Sequence, residues 1–186
     1  MSAGADEALW YLMRGTGVVS LLLLTAVMAL GIATHGRLHL GTLPRFATRL
    51  LHRNLSLMAL VFVTVHVVAA VIDPYVTIGL VDAVLPFTAD SEPLMAGLGA
   101  LAFDLLIAVI ATSIWRKHVG ARTWRAVHLG AYAMWPLAFI HAAGIGSDSS
   151  APWAQVLGIG AAAVIGGSLA WRLLPPERAS ETVAGR

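Results

Sequence analysis

The chain alternates long apolar runs with short polar and charged stretches. A helix needs about 20 apolar residues to cross a hydrocarbon core of about 30 Å, and five segments reach that length. The pattern therefore predicts an all-α integral membrane protein that folds as a five-helix transmembrane bundle. The predicted spans are the segment between Arg14 and His35, and residues 54–72, 93–115, 126–147 and 149–171.

Composition agrees with this prediction. The 186 residues are 58% hydrophobic and 12% charged, whereas soluble domains contain about 25% charged residues. The chain has no cysteine, which excludes disulfides, thiolate iron–sulfur clusters and cysteine zinc sites. We expect a single membrane domain over residues 8–174 and a short polar cytoplasmic tail over residues 175–186.

Basic residues are distributed unequally between the loops. Eleven of the 12 follow the first, third and fifth predicted spans, whereas the opposite loops contain acids. Cytoplasmic loops are enriched in Lys and Arg, so we expect the N-terminus outside and the C-terminus in the cytoplasm, in a plasma or inner membrane. This topology explains the basic pI without a nucleic-acid partner. The first span lacks an A-x-A cleavage site, which favours a retained helix over a signal peptide.

Four histidines lie in two of the predicted spans, where ionisable side chains are costly and usually functional. His52 and His66 are fourteen residues apart in the second span, and His128 and His141 are thirteen apart in the fourth. Both spans run outward, so His52 and His128 lie at the cytoplasmic level, and His66 and His141 at the outer level. At about 1.5 Å per residue, the levels are about 21 Å apart.

The helical phase differs between these two spans. At about 100° per residue, fourteen residues bring His52 and His66 to within about 40° of each other. Thirteen residues leave His128 and His141 about 140° apart on an ideal helix, and a kink at Pro136 is one way to correct this.

Two imidazoles at each of two levels are what two bis-histidine b haems require. Both axial positions of such a haem are filled, so it transfers electrons instead of binding substrate. We also expect cationic partners for the haem propionates at both levels. These candidates are Arg14 on the outer side, and Arg49, Arg53 and Arg125 on the inner side.

Two other functions stay open at this point. A transporter uses buried histidines as a relay, but it normally adds carboxylates at the same depth, and only Asp104 is available. In a structural or assembly subunit, the histidines only pack between helices. His35, His39 and His118 lie in basic loops, and we expect them to be solvated.

Three stretches have a more specific pattern: LWYLMRGTGVVSLLLL, LHRNLSLMALVFVTVHVVAAVIDPY and WRAVHLGAYAMWPLAFIHAAGIGSD. With their H-x13-H and H-x12-H spacings, they resemble the ferric reductase-like transmembrane domain of NADPH oxidases, ferric reductases and the haem subunit of the periplasmic methionine sulfoxide reductase system. The resemblance implies two b haems, held by His52 with His128 and by His66 with His141, and electron flow across the membrane.

Longer members of that family have a cytoplasmic flavin and NADPH domain. This sequence has no G-x-G-x-x-G unit, so we expect FAD or FMN only on a partner. The expected donor is a separate flavoprotein reductase or membrane quinol. The acceptor is ferric iron, dioxygen or an extracytoplasmic redox protein. The chain would then be an electron-transfer subunit of an oxidoreductase, with no catalytic residue of its own.

Three further features have a weaker interpretation. Asp104 has two interpretations. It either takes part in a proton path or binds a side chain of a histidine-bearing helix through a hydrogen bond, or it is a neutral acid bonded to a neighbouring helix. Trp135 lies between His128 and His141, where packing is favoured over a position between porphyrins. Residues 74–93 are largely apolar, and we expect a short interfacial helix there.

Overall fold

The computed structural model describes residues 3–35, 44–145 and 148–173, and all regular secondary structure in these ranges is α-helical. The all-α prediction is therefore confirmed. Ser147, the tail at 175–186 and the loop with Arg37 and His39 lie outside the described residues. The helices in the described part are α1 (Ala3–His35), α2 (Arg45–Ile72), α3 (Pro93–Ile114), α4 (Arg116–Val119), α5 (Ala121–Leu129), α6 (Ala131–Gly144) and α7 (Pro152–Leu173).

Four of these helices, α1, α2, α3 and α7, are long and apolar enough to cross a membrane. The fourth predicted span is interrupted: it consists of α5 and α6, which meet at Gly130. The N–H of Gly130 donates to the Val127 carbonyl at 2.8 Å, three residues back, as in a 3₁₀ turn. A Cβ at position 130 would lie 2.8 Å from that carbonyl oxygen, so this turn requires glycine. Pro136, the expected kink site, lies inside α6.

One buried apolar cluster joins the long helices. Helix α1 packs most extensively against α2, α3 packs against α6, and α1 also contacts α6 and α7. In the described ranges, α2 is not closely packed against α5 or α6, the helices that carry the other two histidines. The cluster consists of Leu24, Met28, Ile32, Ala59, Ala102, Leu106, Ile110, Met134, Trp135, Ala161 and Ile165.

The connection between α2 and α3 forms a series of turns instead of the expected interfacial helix. Its Asp82 carboxylate accepts hydrogen bonds from the Thr88 hydroxyl at 2.6 Å and from the Gly79 N–H at 2.8 Å. These two bonds hold the pKa of Asp82 below its usual value, and the bond from the Thr88 hydroxyl has the larger effect. Phe87 has a φ of 67° and packs against Gly97 of α3, where a Cβ would collide with its ring.

Candidate functional site

The structure brings the four membrane histidines together in two pairs. The ring centroids of His52 and His128 are 6.5 Å apart, and those of His66 and His141 are 6.3 Å apart. The 3₁₀ turn at Gly130 changes the helical phase between His128 and His141 by about 20° for each 3₁₀ step that replaces an α-helical one, which is part of the difference from an ideal helix. Both rings of the α5–α6 segment lie opposite the rings of α2.

These separations fit one metal ion between each pair of rings. A metal–imidazole bond is about 2.0–2.1 Å long. A five-membered ring with C–N bonds of about 1.33 Å places each nitrogen about 1.1 Å from the ring centroid. Two rings that bind one metal from opposite sides therefore have centroids about 6.3 Å apart, close to both observed distances.

The number of donors at each level restricts the kind of group that fits. Within the described ranges, no cluster of three or more His, Asp or Glu side chains is arranged to hold a metal ion. Each level thus offers two imidazoles, one from α2 and one from the α5–α6 segment. Two imidazoles are enough for a planar cofactor that supplies the other ligands of its metal. A bare metal ion held by the same two imidazoles would lack those other ligands.

Three of the four rings are fixed by a bond between Nδ1 and a backbone carbonyl. A carbonyl oxygen only accepts, so Nδ1 carries the proton and the lone pair is on Nε2. A second partner of this kind orients a metal-binding imidazole and selects its tautomer. The bonds run from His52 to Val27 at 3.1 Å, from His66 to Met13 at 2.8 Å and from His141 to Met95 at 2.7 Å.

His128 has an aromatic support on its own helix. Its ring stacks on the Trp124 indole, with centroids 4.9 Å apart and planes at 24°. The Arg116 guanidinium lies 4.0 Å from the centroid of that indole, and the indole N–H donates to the Ser113 hydroxyl at 3.2 Å. This contact was not predicted from the sequence, although the i, i+4 spacing of Trp124 and His128 is visible there.

A packed layer separates the two histidine levels. Ala59 lies seven residues from each α2 histidine and is 0% exposed. Trp135 is 8% exposed, and its indole N–H donates to the Thr25 hydroxyl of α1 at 3.0 Å. Its ring also stacks on Phe139, with centroids 5.2 Å apart. Trp135 is therefore a core residue that joins α6 to α1.

The four arginines expected near the propionates lie at the ends of the bundle. Arg14 forms an ion pair with Asp148, and its guanidinium lies 4.1 Å from the centroid of the Trp10 ring. It thereby ties α1 to the segment that follows α6. The three inner candidates, Arg49, Arg53 and Arg125, are exposed.

Asp104 is half-buried on α3. No hydrogen bond joins its carboxyl to another residue within the described ranges. His118 of α4 is exposed, as its position in a basic loop predicts.

Comparison with known families decides the assignment. The family model described as the ferric reductase like transmembrane component matches residues 16–139, about two thirds of the chain. The chain belongs to this family. Ferric reductase-like domains are in general haem-binding transmembrane domains, so the chain is a multi-pass membrane protein whose family suggests electron transfer. The match includes His52, His66 and His128 and ends two residues before His141. Comparisons with curated proteins and with solved structures gave no match.

Proposed function

We propose that this ferric reductase-like domain binds two b haems and carries electrons from the cytoplasmic side of the membrane to an acceptor outside. The supporting observation is the pair of ring–ring distances, 6.5 and 6.3 Å, at two levels that each provide two imidazoles. When bound, each haem supplies a one-electron carrier whose filled axial positions leave no place for a substrate.

The residues of the chain hold and separate the two groups. His52 and His128 are the proposed ligands at the inner level, and His66 and His141 those at the outer level. Carbonyl bonds at three of these rings keep the proton on Nδ1 and leave the lone pair of Nε2 for a metal ion. The layer around Ala59 keeps the two sites apart.

Charged residues at both ends complete the proposed sites. The inner propionates would pair with Arg49, Arg53 and Arg125, which are exposed near the cytoplasmic ends of α2 and α5. Arg14 is the outer candidate, and its ion pair with Asp148 holds the guanidinium at the outer end of the bundle. Cations in these places also offset the charge of carboxylates that lie close to the hydrocarbon.

The proposal includes topology and partners. We count the interrupted α5–α6 segment as one crossing, which gives five crossings over a domain at residues 8–174. The unequal basic charge of the loops puts the N-terminus outside and the C-terminus in the cytoplasm of a plasma or inner membrane. The family typically pairs with a flavoprotein. We therefore propose a separate flavoprotein reductase or quinol as donor, and an extracytoplasmic redox protein, ferric iron or dioxygen as acceptor.

Haem content and spectra of purified protein test this function. We expect two b haems per chain with low-spin spectra. His52→Ala and His66→Ala should each remove one haem, because each substitution deletes one axial ligand. The exposed His118 provides a matched control, and His118→Ala should retain both haems. Reduction by quinol alone, or only by an added flavin reductase with NADH, distinguishes the donors.

Two results would contradict the proposal. A colourless wild-type protein from haem-replete cells would leave transport or packing as the role of the histidines. Equal haem loss in His118→Ala and His66→Ala would show that the paired rings are not the ligands.

A further inference from the structure

Three carbonyls that bind membrane histidines each lie four residues before a glycine that faces the same imidazole ring. This arrangement occurs three times, twice on α1 and once on α3. The carbonyl–glycine pairs are Met13 with Gly17 beside His66, Val27 with Gly31 beside His52, and Met95 with Gly99 beside His141.

The three glycines approach their rings to different degrees. A Cβ at Gly99 would lie 2.7 Å from both Cε1 and Nδ1 of His141. A Cβ at Gly17 would lie 3.0 Å from Cε1 and 3.1 Å from Nδ1 of His66. At Gly31 the distance to Cε1 of His52 would be 3.4 Å, which is ordinary van der Waals contact. Alanine would thus displace the two outer rings and leave the inner one in place.

Helix geometry explains why the glycine follows the carbonyl by four residues. The Cα–Cβ bond of a helical residue tilts toward the N-terminus, so its side chain covers the preceding turn. A side chain at position i+4 therefore lies over the carbonyl of residue i. That carbonyl already accepts the N–H of residue i+4, but its second lone pair can accept another bond. Glycine at i+4 leaves this lone pair open to an imidazole.

We propose that Gly17 and Gly99 are positioning residues for the two ligands of the outer haem, His66 and His141, an inference that rests on the proposed function. By exposing a carbonyl, each glycine fixes the plane and tautomer of one imidazole. The ring then presents Nε2 to the cofactor in one orientation. A hydrogen bond from Nδ1 also makes the imidazole a stronger donor to its metal, so these glycines tune the haem potential.

The register of α1 against α2 supports this role. Gly17 and Gly31 are fourteen residues apart, as are His52 and His66. The two helices are antiparallel, so Gly17 meets His66 and Gly31 meets His52. Glycines needed only for close helix packing would not have to repeat at the spacing of the histidines.

Helix α3 differs at its inner end. Fourteen residues after Gly99 stands Ser113, whose hydroxyl donates to the Val109 carbonyl at 2.6 Å. Val109 is fourteen residues after Met95, and its carbonyl already accepts this hydroxyl of its own helix. The inner ring that faces this end, His128, stacks on Trp124. Positioning that depends on glycine therefore concerns the two ligands of the outer site, where an added Cβ would lie 3.0 Å or less from the ring.

Alanine substitutions test the proposal in the full-length, haem-loaded protein. The variants are Gly99→Ala, Gly17→Ala and Gly31→Ala, and Gly15→Ala is the control on α1 because nothing lies within 4 Å of its added Cβ. The readouts are haem content, the low-spin ferric EPR g values and the midpoint potential of each haem.

We expect a graded effect at the outer haem. Gly99→Ala should change its g values and raise its potential most, because the ring turns and its carbonyl bond weakens. Gly17→Ala should have a smaller effect of the same sign. Gly31→Ala and Gly15→Ala should match the wild type, and the inner haem should be unchanged throughout. Loss of the outer haem from Gly99→Ala protein that elutes normally on gel filtration would also support the proposal.

The outcomes separate this inference from the proposed function. A wild-type protein without haem would overturn both. If His66→Ala removes the outer haem while Gly99→Ala and Gly17→Ala keep wild-type g values and potentials, only the positioning role is wrong. An effect of Gly31→Ala as large as that of Gly99→Ala would also overturn it. If Gly99→Ala protein does not accumulate, the milder Gly17→Ala decides by the same spectra.

Discussion

The hydrogen bond between Trp135 and Thr25 joins α6 to α1 between the two histidine levels, and its strength can be measured. Trp135→Phe removes the indole N–H and leaves no donor unsatisfied, because the Thr25 hydroxyl still donates to the Leu21 carbonyl at 2.7 Å. Thr25→Val is different, since it leaves a buried indole N–H without its acceptor. The two substitutions thus break one bond from opposite ends.

The expected free energies of unfolding follow from this asymmetry. Thr25→Val should lower the free energy of unfolding by about 1–3 kcal/mol, because the buried Trp135 indole N–H loses its acceptor. Trp135→Phe should cost about 1–2 kcal/mol, which combines the lost bond with a small cavity. Interhelical hydrogen bonds in membranes average about 0.6 kcal/mol and reach about 1.7 kcal/mol in double-mutant cycles. We expect the coupling between Trp135 and Thr25 to lie in that range.

Unfolding in mixed micelles of increasing SDS content, followed by circular dichroism, measures these free energies for the two single variants and the double variant. Trp153→Phe is the matched control, because Trp153 is 49% exposed, and it should not change stability. Haem retention should fall at both levels in Trp135→Phe, since the residue lies between them. Additive effects of the two substitutions, or equal destabilisation by Trp153→Phe, would refute the reasoning.

The remaining predictions concern two local features. Gly130→Ala puts a Cβ 2.8 Å from the Val127 carbonyl oxygen, so the turn should open and at least one haem should be lost; retention of both would contradict the role of the turn. The lowered pKa of Asp82 means that its carboxylate stabilises the folded loop above its unfolded pKa, and this contribution is lost as pH falls through the lower folded value. Asp82→Asn should therefore raise the amide exchange rate of residues 74–92 above that of the wild type at neutral pH. Exchange rates equal to those of the wild type at every pH would refute the assignment.

Hydropathy and spacing predict the α-helical membrane class and the two histidine levels, because both depend on length along a helix. They cannot predict which face of each helix is buried, since lipid and protein interior are both apolar. On α2, Ala59 is 0% exposed and its neighbour Met58 is 49% exposed, although both are apolar.

The relative direction of His128 and His141 depends on the turn between α5 and α6, and residue spacing alone does not predict that turn. Pro136 attracted the prediction because it lacks an N–H, but the chain turns at Gly130, where only glycine leaves room beside a carbonyl. The glycines beside the histidines were also missed. Their clue was present in the sequence, since Gly17 and Gly31 repeat the fourteen-residue interval of His52 and His66.

The packed layer between the histidine levels has an electrical consequence. The buried cluster contains no acid and no base, and Asp104 lies outside it. Under the proposed function, each electron would cross without an accompanying proton through this layer. Moving one elementary charge across the membrane potential amounts to about 2.3 kcal/mol per 100 mV. With the cytoplasm negative, outward transfer is downhill and depolarises the membrane, so a cell must balance this current with cation export elsewhere.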